Sequence, residues 1–291
     1  MTKVVLITGT STGFGRDTAN TLAKEGFAVF AAMRDITGKN KRHADSLRNS
    51  GIQVVELDVT NVHSVNQAVD EVLRQAGRID VLINNAGVAY AGVSEAFTDE
   101  QVQQLFDVNV IGVHRVSRAV LPIMRVRGTG LIINIGSILG RVTFPFFGLY
   151  GATKFALEAI TDSLRYELSP LGIDVALVQP SAYPTQMYAS VSQPNDSARA
   201  NDYGQVGEIP SSMFASFMAM FASDNAPDPH DVAESILQLV QTPHGQRPDR
   251  TVVGEGFGAN QVNDAVSSIQ SATIKALGLQ QLEPKHAASQ G

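Results

Sequence analysis

Apolar residues in the first 180 positions fall into two alternating patterns. Short β-branched runs occur at Val4–Ile7, Ala28–Phe30, Ile52–Val55, Ile79–Ile83, Leu131–Ile133 and Ile173–Val178. Between them, apolar residues recur at helical spacing, as in Val62, Val65, Ala68, Val69 and Val72, or Leu157, Ile160, Leu164 and Leu168. Uniformly apolar strands separated by helices predict a parallel sheet covered on both faces. Right-handed crossovers make it a doubly wound α/β fold.

The pattern weakens past Ser181. A polar stretch runs from Gln193 to Gly207, followed by a dense apolar patch from Met213 to Phe221, a helix over Asp231–Val240 and a strand near Thr251–Val253. No internal repeat and no Pro/Gly-rich linker sets off a second domain. The expectation is a single domain over residues 1–280 with an insertion at about 186–227 acting as a substrate lid, then a flexible tail at 281–291.

Composition narrows the function classes. With 291 residues, 44% of them hydrophobic, the chain can bury a sizeable core. A net charge of −6 without a basic stripe argues against nucleic acid and anionic membranes as partners. The absence of cysteine excludes disulfides, thiolate nucleophiles and cysteine-ligated metals. No stretch approaches the ~20 apolar residues needed to span a bilayer, and Val4–Ile7 is too short for a signal-peptide core, so a soluble cytoplasmic protein is expected. His43, His63, His114, His230, His244 and His286 show neither close metal spacing nor an obvious carboxylate partner, so no metal is expected.

After the first strand comes Thr8-Gly9-Thr10-Ser11-Thr12-Gly13-Phe14-Gly15, followed by a helix. Glycines there allow a sharp turn and close approach of the backbone to a pyrophosphate at the helix N-terminus. A glycine cluster is otherwise a common turn; its place between the first strand and first helix favours nucleotide binding. Thr-Gly-x-x-x-Gly-x-Gly differs from the usual dinucleotide spacing and resembles the short-chain dehydrogenase/reductase family, which has a Rossmann-type fold.

The second strand ends in Met33-Arg34-Asp35. A carboxylate at that end suits NAD, whereas a 2′-phosphate needs a cation. In the family pattern Met33 takes the usual acidic position and Arg34 follows it; a guanidinium can grip phosphate with two hydrogen bonds. Asp35 also lies roughly 20 residues past the glycine loop, and is read as turned away, paired with Arg34. NADP(H) is therefore expected ahead of NAD(H). The resemblance also implies that Asp58, beside Val59, reaches the adenine, and that Asn84-Asn85-Ala86-Gly87 ends the fourth strand at the cofactor crevice.

Tyr150 and Lys154 stand four residues apart on one helical face, and Tyr150 is the only one of six tyrosines with a lysine at that spacing. A nearby cation lowers the pKa of a phenol, about 10 when free, toward the working range of an acid–base group. Ser137 stands thirteen residues earlier, after the apolar run to Ile135, where a parallel strand points its C-terminal end into the crevice. Its hydroxyl could hold a carbonyl oxygen. Asn109 sits within an otherwise regular helical pattern, although asparagine is a mediocre helix former. The resemblance implies that Asn109, Ser137, Tyr150 and Lys154 form the catalytic set, Lys154 also binding the nicotinamide ribose and Asn109 supporting a water in a proton relay. It covers roughly residues 3–185. Where the family shows Pro-Gly and then a nicotinamide-binding Thr, this chain has Pro180-Ser181-Ala182-Tyr183-Pro184-Thr185. Pro180, Tyr183 and Thr185 are expected at the cofactor, and Ser181 is strained if the family's glycine needs positive φ.

Substrate contacts are expected from Val88, Ala89 and Tyr90, from Phe144 to Phe147, from Met187 and Tyr188, and from an apolar helix beginning after Pro210-Ser211-Ser212 that carries Met213, Phe214, Phe217, Met218, Met220 and Phe221. Of these, Val88, Tyr90, Phe144, Phe147, Met187, Phe214 and Met218 are the leading candidates. A core or interface helix explains the Met/Phe patch equally well. The reading is an NADP(H)-dependent carbonyl reductase acting on a bulky apolar small molecule. An NAD-dependent alcohol or hydroxysteroid dehydrogenase is the alternative, and a non-catalytic NADP-binding sensor or scaffold is the alternative of another class. Apolar helices around Val102–Met124 and Phe155–Leu168 resemble the family's subunit interfaces, implying a homodimer or homotetramer.

Overall fold

A computed structural model describes residues 2–284. Seven strands form one parallel sheet: β1 (Val4–Thr8), β2 (Ala28–Met33), β3 (Gln53–Glu56), β4 (Val81–Asn84), β5 (Gly130–Ile135), β6 (Ile173–Pro180) and β7 (Arg250–Val253). Their order is β3-β2-β1-β4-β5-β6-β7, so the direction of winding reverses between β1 and β4, where α/β sheets open a crevice at the strand C-termini. The doubly wound parallel sheet expected from the apolar runs is present, with each expected strand within a few residues of its run.

The crossover helices are α1 (Gly13–Lys24), α2 (Lys41–Asn49), α3 (Val62–Ala76), α4 (Asp99–Phe106), α5 (Gly112–Arg127) and α6 (Gly148–Leu168). Beyond β6 come α7 (Gln186–Ala189), α8 (Ser197–Asp202), α9 (Gln205–Phe221), α10 (His230–Gln241) and α11 (Ala259–Ala276). Strand side chains alternate between faces, so Val5 and Ile7 pack with Ala19 and Leu22 of α1 and Val232 and Ile236 of α10. Val4 and Leu6 pack on the opposite face with Val65, Val69 and Val72 of α3 and Val116 and Val120 of α5. Ile83 and Ile133 are wholly buried in the first of these layers, and truncating either to Ala costs about 2–5 kcal/mol. A third, smaller apolar cluster sits over the strand C-termini and contains Leu139, Tyr150, Phe144 and Phe147. It forms the floor of the site described below.

Three local features depart from the sequence expectations. Asn109 lies in a π turn, Asp107–Ile111, that joins α4 to α5 without a break; the helix is irregular at the residue the sequence singled out. Helix α9 begins at Gln205, so Pro210 lies inside it instead of preceding it, at the loss of one backbone hydrogen bond. His230 and His244 each find a carboxylate distant in sequence, Asp17 at 2.9 Å and Asp174 at 3.0 Å. At the C-terminus, Gln280–Leu282 form a 3-10 turn, while the rest of the expected tail, from Lys285 on and including His286, lies outside the described residues. Among the described residues, no helix is long and apolar enough to cross a membrane.

Candidate active site

At the divergence of β1 and β4 a long cleft opens over the glycine loop. Gly9 has φ +72°, and a Cβ there would lie 2.7 Å from the Cα of Ala86. A Cβ at Gly15 would lie 2.5 Å from the Gly9 carbonyl, so Gly15 lets α1 pack against the loop and does not itself line the cleft. Gly13 has φ +56°, and a Cβ there would make only ordinary contact with the Thr185 Cβ at 3.7 Å. No side chain caps α1, so its first N–H groups face the cleft together with the positive end of the helix dipole. That arrangement fits a pyrophosphate. Asn85 holds the loop from the β4 side: its amide donates to the carbonyls of Thr8 and Gly9 at 2.9 and 3.0 Å. The Thr8 hydroxyl accepts in return from the N–H groups of Asn85 and Ala86. Ser11, Thr12, Phe14, Ala86, Gly87 and Thr185 complete this part of the cleft.

One end of the cleft is lined by Arg34, Asp58 and Val59, and also by Lys39, Asn40 and His43, which the sequence reading missed. Asp58 accepts from the Thr60 hydroxyl at 2.7 Å. Asp35 adopts φ +53° and turns its carboxylate back to accept the Lys39 N–H at 2.8 Å. It is turned away as expected, but into its own loop and not onto Arg34. The Arg34 guanidinium has no hydrogen bond or ion pair among the described residues.

Asn109, Ser137, Tyr150 and Lys154 are all buried. Ser137 leaves the end of β5, and its hydroxyl accepts the Leu139 N–H at 3.1 Å. Tyr150 lies in the first turn of α6, with its hydroxyl beside that of Ser137. Burial pushes the phenol well above its ordinary pKa, helped by the neighbouring Tyr188 and opposed by Ser137. The expected lowering by Lys154 is not present: Nζ donates to the Ile135 carbonyl at 2.9 Å and sits 5.6 Å from the Tyr150 ring centroid. Burial pushes the Lys154 ammonium down to about 8. Asn109 acts on backbone, accepting from the Val88 N–H and donating to the Val88 carbonyl, both at 2.9 Å, and donating to Thr153 at 3.1 Å. Behind them, Asn84 donates to Asn134 at 2.9 Å and Asn134 to Thr161 at 2.9 Å, a buried polar rung tying β4 and β5 to α6.

Above the Ser137 and Tyr150 hydroxyls is a chamber walled by Ala89, Leu139, Phe144, Phe147, Met187, Tyr188, Val191 and Phe217. Of the leading substrate candidates, Phe144, Phe147 and Met187 line it. Val88 lines the cofactor cleft, Tyr90 is buried in a stack on Phe97 at 5.5 Å, and Phe214 and Met218 do not reach the chamber. Phe217 faces it instead, in a ladder with Phe147 (6.3 Å), Tyr188 (5.8 Å) and Phe221 (6.4 Å). Pro180 and Tyr183 both line the chamber, and Tyr183, nearly fully buried, packs edge-on against Phe14 at 5.6 Å and donates weakly to Asp231 at 3.4 Å. Ser181 has no positive φ and so no strain; the left-handed residue is Gly254 across from it, where a Cβ would lie 3.2 Å from the Ser181 Cβ.

A family model described as short chain dehydrogenase matches residues 3–196. Among curated proteins, the chain is 40% identical over 183 residues to a 3-ketodihydrosphingosine reductase of Bacteroides thetaiotaomicron, a match covering 63% of this chain and 65% of that protein. It is 33% identical over 249 residues to an uncharacterized oxidoreductase, YusZ, of Bacillus subtilis, covering 83% and 86%. Among solved structures, a short-chain dehydrogenase from Streptomyces avermitilis superposes with a TM-score of 0.76 at 28% identity, covering 97% and 98%. An actinorhodin polyketide ketoreductase with NADPH gives 0.73 at 28% identity, covering 89% and 97%. A Brucella melitensis 3-ketoacyl-(acyl-carrier-protein) reductase complexed with NADH gives 0.72 at 26% identity, covering 87% and 97%.

Proposed function

Because the chain belongs to the short-chain dehydrogenase family, oxidoreductases of CH–OH and C=O groups, we propose that it is an NADP(H)-dependent reductase of bulky, uncharged ketones. The observation that carries this reading is the apolar chamber set directly over the Ser137 and Tyr150 hydroxyls. Among the described residues its one cationic lining residue is Lys154, engaged with the Ile135 carbonyl, so no free cation there would pair with a carboxylate or phosphate. Similarity to a 3-ketodihydrosphingosine reductase supports the direction toward alcohol.

Bound in the cleft, the reduced nicotinamide supplies the hydride for the carbonyl carbon. The residues of this chain do the rest. Ser137 holds the carbonyl oxygen, and Tyr150, kept protonated by its burial, gives that oxygen its proton. Lys154 would hold the cofactor ribose through the ammonium protons not taken up by the Ile135 carbonyl. Asn109 fixes the Val88 backbone and, through Thr153, the start of α6, and supports the relay that returns a proton to Tyr150. Arg34, unpaired among the described residues, with Lys39 lining the same cleft and Asp35 turned away, supports a 2′-phosphate over a bare ribose. Helices α7 to α9 act as the lid of the chamber. The exposed Ile111 and Phe155 on the outer faces of the α4–α5 and α6 helices support assembly into a homodimer or homotetramer, which sedimentation velocity resolves.

Oxidation of NADPH and NADH against aromatic, aliphatic and steroid ketones tests the reading. Turnover with NADPH on bulky ketones is expected. Faster turnover with NADH would move the assignment to an NAD-dependent dehydrogenase, and tight cofactor binding without turnover on any ketone would favour a sensor.

A further inference from the structure

We propose that His43 is a proton-linked part of the seat for the 2′-phosphate of NADP(H), taking up a proton as that phosphate binds. The inference rests on the NADP(H) reading above. His43 lies in the first turn of α2 with its ring at the cleft beside Arg34 and Lys39. From α1, Arg16 reaches across to its Nδ1 at 3.2 Å, and the other Arg16 nitrogen donates to Ser46 at 2.8 Å. A guanidinium can only donate, so Nδ1 accepts, the ring is neutral, and its N–H is on Nε2. A protonated ring could not accept from Arg16. Protonation therefore breaks one contact and releases two donors, Nδ1–H and an Arg16 N–H, both needing an acceptor. A phosphate dianion at the cleft offers acceptors to both.

The charges around His43 agree with this assignment. Burial, then Arg16, then Arg42 on its own helix hold its titration below the ordinary histidine range. Arg34 and Lys39 of the preceding turn line the same cleft. The carboxylates nearby are engaged elsewhere: Asp35 with the Lys39 N–H, Asp45 with Lys41 and Arg48, and Asp17 of α1 with His230. Among the described residues no carboxylate pairs with this ring, so the incoming dianion decides its state.

Isothermal titration of the full chain with NADP+ and with NAD+ at pH 7, in two buffers of different ionisation enthalpy, counts the protons exchanged. Net uptake is expected with NADP+ and none with NAD+. His43→Asn should abolish the uptake and weaken NADP+ about tenfold, narrowing the ratio of NADP+ to NAD+ affinity by that factor. His43→Lys should restore NADP+ affinity without uptake, because a lysine is already charged. The same uptake in His43→Asn, or equal uptake with NAD+, would overturn the role of His43 while leaving an NADP+ preference intact. Equal affinity of the wild-type protein for NAD+ and NADP+ would remove the NADP(H) reading itself, and this inference with it.

Discussion

The floor and the roof of the chamber are built on opposite principles. On the floor, Asn109, Ser137, Tyr150 and Lys154 are buried, and hydrogen bonds tie Asn109, Ser137 and Lys154 to backbone that belongs to or adjoins the sheet. Helix α9 of the roof is rich in Met and Phe and carries Glu208 as its single charged residue, yet none of its residues is buried. It is held by rings meeting edge-on and by unbranched methionines, contacts that reform easily after a shift. Catalytic geometry demands fixed atoms, whereas a wall receiving a large apolar substrate gains from yielding. The two parts of one chamber divide those requirements.

Removing the floor's proton donor should have the largest effect. Tyr150→Phe is expected to lower kcat by about 10³-fold, with NADPH binding, followed by cofactor fluorescence, unchanged. Retained turnover would show that another group delivers the proton. The next effect is on pH. Lys154 is charged below its depressed value of about 8 and loses that charge as pH rises through it. With NADPH limiting, kcat/KM should therefore fall above that point, approaching tenfold per unit, and a profile flat to pH 10 would exclude Lys154 as the group that matters. Gly9→Ala should weaken both cofactors alike and destabilise the fold by about 1–3 kcal/mol in urea titrations, because its Cβ would press on the Ala86 backbone. The roof should respond least. Phe217→Ala is expected to raise KM for bulky ketones about tenfold with little change for small ones, and Met218→Ala to alter unfolding free energy by no more than about 0.5 kcal/mol. Reversal of that last pair would mean that α9 presents a different face to the chamber.

The same division decides what the sequence could reveal. Strands with unbroken apolar runs are legible because burial on both faces demands it, and Ser137, Tyr150 and Lys154 are legible because their spacing is set by one strand end and one helix turn. Asn109 was marked as an odd residue for a helix, but the π turn around it leaves no trace in the periodicity. On α9 the apolar residues are too dense to define a phase, so Phe214 and Met218 stood out as readily as Phe217, which faces the chamber. Lys39 and His43 were missed because the β2–α2 turn and Arg16 of α1 bring them to the cleft, a meeting that no local spacing encodes. Asp35 was read correctly as turned away but given the wrong partner, since its left-handed backbone aims it at the N–H of Lys39.

The π turn at Asp107–Ile111 also constrains how this chain can change length. A π turn carries one residue more than a regular helix would. Because the wide turn itself absorbs that residue, deleting one of the five and closing the turn to a regular helix would leave Val113, Val116, Val120 and Met124 of α5 near the face they bury, while Asn109 would lose the position from which it reaches Val88 and Thr153. Most helices in a fold of this kind tolerate insertions and deletions at their ends, where loops absorb them. Here the count of residues is fixed from the middle, by an asparagine that must reach Val88 and Thr153 while the valines downstream stay in register with the sheet.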